Sequence, residues 1–76
     1  MDYKQVRKVI TIYYFEQNYK SLSDACKFAN VNYRVFDNMI NSRTTLKLYL
    51  IKEFVEKLNE KYTAKEIDGN LIIVRR

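Results

Sequence analysis

Histidine is absent from the chain, so proton transfer near neutral pH would fall to a perturbed carboxylate or lysine. Cysteine occurs once, at Cys26, which excludes an internal disulfide and leaves metal ligation without any paired spacing. Glycine also occurs once, at Gly69, so no glycine-rich loop is present to cradle a phosphate. No apolar run approaches the length of a membrane span, and the opening MDYKQVRK lacks the apolar stretch of a signal peptide. These absences argue against an enzyme, a bound cofactor or metal, and a membrane partner. They make the cytoplasm the expected location.

What is present fits one small domain covering residues 1–76. Hydrophobic residues make up 47% of the chain, too many for a disordered tail. At 76 residues the core is barely large enough for independent folding, and self-association often supplies the remainder. The net charge is +5, which suits a polyanionic partner. Placement sharpens that reading, because Lys20, Lys27, Arg34, Arg43 and Lys47 fall within or beside one segment.

That segment is LSDACKFANVNYRVFDNMIN, from Leu22 to Asn41. Ser21 with Asp24 has the form of a capping box, the hydroxyl accepting an early helical N–H while the acid reaches back. Ala25, Cys26 and Ala29 follow at the spacing of one helical face. Asn30 is among the few non-glycine residues that accept the left-handed conformation ending a helix. Val31 fills the turn and Asn32 can cap a second helix, whose apolar face is Phe36, Met39 and Ile40. Two short helices crossing on small residues form a helix-turn-helix.

The segment resembles the helix-turn-helix of phage and plasmid repressors of the Cro/CI type. There too, small residues lie where the helices touch and a glycine-like residue makes the turn. It departs from that pattern in carrying Asn30 at the turn, Cys26 at the crossing and the bulky Phe28. The resemblance implies that the second helix enters the major groove by its first turn. Asn32, Tyr33, Arg34, Asp37, Asn38 and Asn41 then face outward. Arg34 can fork onto guanine O6 and N7, and Asn38 can pair with adenine. Tyr33 can stack on a thymine methyl or donate to phosphate. Asp37 either accepts from cytosine N4 or holds Arg34 through an i,i+3 contact. Lys27, Arg43, Thr44 and Lys47 are expected on phosphates, where they fix register.

Outside this segment the periodicity predicts a helix over about 3–18. Val6, Val9, Ile10, Tyr13 and Gln17 share one face, with Ile12, Phe15 and Tyr19 forming a second apolar patch roughly opposite. Such a helix is deeply buried or meets a partner. With helices over 21–29 and 32–41, a fourth is expected from about Thr45, capped by Thr44 or Thr45, to Tyr62. Its stripe is Leu48, Ile51, Phe54, Val55, Leu58 and Tyr62, widened by Leu46 and Leu50. It carries a Glu53–Lys57 pair and would close over helix 1 and the DNA-reading helices. Residues 63–75 then change to period two around Asp68-Gly69-Asn70, the signature of a β-hairpin. Leu71 and Ile73 face one side, Ile72 and Val74 the other. The hairpin tip carries an acid and no cation, which speaks against a phosphate-touching wing. Arg75 and Arg76 form either a phosphate-contacting tail or a frayed end.

The expected fold is therefore mainly α, a four-helix helix-turn-helix domain with a small C-terminal β-hairpin. The expected function is sequence-specific binding of double-stranded DNA by a dimer, as in a phage or mobile-element repressor acting at an operator. Ile72, Val74, Ile12 and Phe15 are the candidates for the dimer interface. The alternative is a protein-interaction module, an antirepressor or inhibitor of a host protein, that uses Ile12, Phe15 and the LIIV strand.

Overall fold

A computed structural model describes residues 1–76. Four helices precede one hairpin: α1 (Tyr3–Glu16), α2 (Leu22–Ala29), α3 (Tyr33–Ile40), α4 (Leu48–Leu58), β1 (Tyr62–Ile67) and β2 (Asn70–Arg75). The expected class, mainly helical with a C-terminal hairpin, is the observed one. No helix is long and apolar enough to cross a membrane.

Local chemistry sets most of the boundaries. Asp2 caps α1 by accepting from the Lys4 N–H at 3.4 Å. The helix ends at Glu16, slightly earlier than its periodicity suggests, because Asn18 turns left-handed with φ 70°. Ser21 Oγ accepts from the Asp24 N–H at 3.1 Å. Only this half of the capping box is made, since the Asp24 side chain is one methylene shorter than the usual Glu. Asn30 ends α2 at φ 56° and ψ 40°, and the Val31 N–H returns to the Cys26 carbonyl at 3.0 Å.

α4 is shorter than expected at both ends. Neither Thr44 nor Thr45 caps it; Lys47 stands at the cap without a side-chain bond. The chain before it is held instead by long-range contacts. Tyr3 Oη donates to the Thr44 carbonyl at 3.0 Å, and the Lys47 N–H approaches Met39 Sδ at 3.4 Å. At the far end Asn59 is extended, with its side chain donating to Gln17 Oε1 at 2.9 Å and accepting from the Lys61 N–H at 3.0 Å. Tyr62 is thus the first residue of β1 and not the last of the α4 stripe.

β1 and β2 pair antiparallel, from Tyr62 opposite Arg75 to Ile67 opposite Asn70. Asp68 and Gly69 make the tight turn at φ 52° and 80°. α4 packs on α2 and β1, while β2 packs on α1, so the hairpin spans the two long helices. α4 also meets α1 directly, where the Tyr13 hydroxyl reaches the Val55 carbonyl.

All 16 buried residues are hydrophobic and form one cluster. Val6, Ile10, Tyr13 and Tyr14 come from α1, Ala25, Cys26 and Ala29 from α2, and Phe36, Met39 and Ile40 from α3. α4 adds Ile51, Phe54, Val55 and Leu58, and the hairpin adds Ala64 and Leu71. The Tyr13 hydroxyl enters this core by donating to the Val55 carbonyl at 2.7 Å, and its burial pushes its pKa up to about 12.

Cys26 lies fully buried at the α2–α3 crossing. Burial, aided by the Asp37 carboxylate, pushes its thiol from an ordinary 9.0 up to about 11. The native state therefore favours the protonated thiol. Cys26 leaves stability unchanged below about pH 9 and lowers it as pH rises toward about 11. Native protein should react with thiol reagents far more slowly than unfolded protein at neutral pH. Cys26→Ala should cost modestly, whereas Cys26→Leu should overpack the crossing by ~1–3 kcal/mol. Urea melts of both variants check this, and a silent Leu would mean that α2 and α3 do not meet at residue 26.

Candidate nucleic-acid interface

α2 and α3 meet on the smallest side chains in the core. Ala25, Cys26 and Ala29 are at most 1% exposed, and Phe36, Met39 and Ile40 press from the other helix. The left-handed Asn30 redirects the chain, and Asn32 starts α3 by accepting from the Val35 N–H at 3.0 Å. α3 consequently presents Tyr33, Arg34 and Val35 to solvent on its first turn.

The sequence-derived site residues divide into free and committed groups. Arg34 is exposed and its side chain makes no bond within the chain, which leaves its whole fork available. Tyr33 is 46% exposed. Asn32 has its side-chain oxygen engaged in the cap. Asn41 is tied three ways. Its Nδ2 donates to the Asp37 carbonyl at 2.8 Å and to Asp37 Oδ1 at 2.9 Å, and its Oδ1 accepts from Arg7 Nη1 at 2.9 Å. Asp37 therefore serves Asn41, not Arg34, and both Asp37 and Asn41 are half-buried. Asn38, also half-buried, accepts from Arg43 Nη1 at 3.3 Å and keeps its amide N–H groups free.

The segment after α3 folds back against it. Thr44 and Lys47 join Val35, Asn38 and Met39 around a recess of ≈ 170 Å³, and Arg43 lies beside Asn38. Lys27 sits apart, on α2 with Lys20, Asp24, Tyr19 and Phe28. Phe28 is 63% exposed there, its ring centroid 5.4 Å from that of Tyr19. The ion pairs of the chain are Met1 N to Glu66 at 3.4 Å and Lys57 to Glu53 at 3.2 Å, the latter as expected. Arg7, Lys27, Arg34, Arg43 and Lys47 thus form no ion pair within the chain.

Arg7 and Tyr3 escaped the sequence reading. Both lie on α1, and their partners Asn41 and Thr44 are 34 and 41 residues away. No local pattern signals such a pairing.

A second surface lies at the outer edge of β2. The Arg76 N–H donates to the Lys61 carbonyl at 2.8 Å, which fixes the alternation of the ladder. Ile72 and Val74 then bond to β1, whereas the backbone groups of Leu71, Ile73 and Arg75 point away from it. Gln5 takes those of Leu71, donating Nε2 to the carbonyl at 2.9 Å and accepting the N–H at 2.8 Å. Those of Ile73 and Arg75 have no partner in the chain. Beside this edge runs an apolar groove of ≈ 590 Å³, lined by Val9, Ile12 and Tyr13 of α1 and Leu71, Ile72 and Ile73 of β2. Ile12 and Ile72, far apart in sequence, share it. Val74 is half-buried on the outer hairpin face, and Phe15 is 56% exposed outside the groove, stacked on Tyr14 at 5.0 Å. Compared with known proteins, the chain matches no family model, no curated protein and no solved structure.

Proposed function

We propose that this chain is a sequence-specific DNA-binding regulator of the helix-turn-helix type, acting in the cytoplasm as a two-fold dimer at an operator. This is the kind of repressor that phages and mobile elements use. The observation that carries the reading is Arg34: an unpaired guanidinium on the first exposed turn of α3, in a helix pair joined by a left-handed turn. Its two parallel N–H groups match guanine O6 and N7, and Tyr33 and the free Asn38 amide extend the reading face. The unneutralised cations around α3 supply the sequence-independent attraction to phosphate.

The dimer is part of the same reading. One recognition helix covers too few base pairs for tight specific binding, and two-fold symmetry doubles the readout at half-sites ~34 Å apart. The β2 edge is self-complementary in a register centred on Val74. There Ile73 exchanges two hydrogen bonds with Arg75 of the partner subunit, and Arg75 exchanges two with Ile73 of the partner subunit. Gln5 ends the free edge at Leu71 and so restricts slippage.

Arg34→Ala should weaken specific binding by ~1–3 kcal/mol and relax preference at one base position. Titrations against matched and scrambled duplexes test this. Equal losses on both would make Arg34 a phosphate contact and remove it from base readout. The exposed Ile12, Phe15 and Phe28 favour a second reading, a module that inhibits or displaces another protein. The salt dependence of binding to arbitrary duplex DNA separates the two, being steep for a regulator and flat for an inhibitor.

A further inference from the structure

We infer that Arg7 and Arg43 form a preset clamp on the DNA backbone at the C-terminal end of α3, aimed by Asn41 and Asn38. The inference rests on the DNA-binding reading above and extends the contact surface to α1. Each arginine donates one Nη1 bond to an asparagine side-chain oxygen, at 2.9 Å for Arg7 and 3.3 Å for Arg43. A neutral carbonyl orients a guanidinium without cancelling its charge. An aspartate at the same place would orient and neutralise it, and water would do neither.

The supporting layer is built to keep this arrangement. Asp37 accepts from the Asn41 amide through Oδ1 and makes no ion pair with Arg7. That bond, with a second from the same amide to the Asp37 carbonyl, turns the Asn41 oxygen toward Arg7. The Arg43 backbone N–H is fixed to the Asn38 carbonyl at 2.9 Å, so the Arg43 side chain leaves the chain at a defined point. Each guanidinium retains four of its five N–H donors for a phosphodiester. Both arginines are exposed, and neither meets an acid within ion-pair distance. Thr44 and Lys47 lie beside Asn38.

The test measures affinity for a duplex of arbitrary sequence across a salt series, with a melting curve for every variant. Wild-type protein should bind with a steep slope. Arg7→Ala and Arg43→Ala should each flatten the log–log slope by ~0.9, and the double variant by about twice that. Arg7→Lys keeps a charge and should keep the slope. Asn38→Ala leaves the Arg43 charge but releases its aim, so affinity should fall with the slope intact. Specific and arbitrary duplexes should lose affinity equally in the arginine variants. Should Arg7→Ala melt too early to be assayed, Arg7→Gln replaces it. If wild type binds steeply but both arginine variants keep its slope and lose only melting temperature, the arginines merely support the end of α3. The clamp is then overturned and the DNA reading stands. If wild type itself shows no salt-dependent binding, the DNA reading fails and takes the clamp with it.

Discussion

Phe36→Ala should lower the stability of the domain by ~3–5 kcal/mol. Phe36 and Phe54 are both 0% exposed and stack with centroids 4.5 Å apart, joining α3 to α4 at the centre of the core. Truncating a buried Phe costs ~3–5 kcal/mol, through lost transfer energy and the cavity left behind. A 76-residue domain has only ~4–11 kcal/mol of total stability. The substitution therefore consumes a large share of it. Phe28→Ala is the matched control, because Phe28 is 63% exposed and its loss should stay within ~0.5 kcal/mol. Urea melts followed by circular dichroism decide between them. A Phe36→Ala midpoint close to wild type would mean that α3 does not rest on α4, and the presentation of Arg34 would lose its foundation.

Arg75→Pro should convert the proposed dimer to a monomer without melting the hairpin. The Arg75 N–H points away from β1, so proline removes an unpaired edge donor and leaves the β1–β2 ladder intact. Val74 is already in strand conformation, which a following proline favours. Specific DNA affinity should fall on the order of 100-fold or more, since half of the base contacts depart with the second subunit. Arg75→Ala removes the same charge but keeps the N–H. It should remain dimeric with only a small affinity loss. Sedimentation at micromolar concentration with parallel DNA titrations reads both effects. A dimer that survives proline would move the interface off the β2 edge. Paired lysines at Ile72 and Val74 would then test the outer hairpin face, and a wild-type monomer with undiminished DNA affinity would remove the dimer from the account.

The parts of the molecule legible in the sequence are those decided within a few residues. Ser21, Asn30 and Asn32 each act on a neighbouring backbone group, and each does in the structure what its chemistry suggests. The Asp68-Gly69 turn belongs to the same class. The inward set of α3, Phe36, Met39 and Ile40, follows from helical spacing alone. The ends of α4 were not legible, because contacts from Tyr3, Met39 and Gln17 settle them across long sequence separations. Thr44 and Thr45 look like caps on paper, yet Thr44 is held by its carbonyl from α1. The candidate site divides in the same way. Arg34 and Tyr33 are exposed where the periodicity puts them. Asp37 and Asn41 look equally exposed in the sequence but are drawn into a network with Arg7, which periodicity cannot see. Likewise Ile12 and Ile72 belonged to two separate apolar patches until the hairpin brought them to one groove.

Selection from a random pool of duplex DNA tests whether α3 reads sequence in the proposed two-fold arrangement. Purified protein is mixed with the pool at moderate salt, bound duplexes are recovered over several rounds, and the enriched sequences are aligned. The expected result is a palindromic motif with half-sites one helical turn apart, containing a guanine whose preference disappears in Arg34→Ala. Recovery of duplexes without any enriched motif would contradict it.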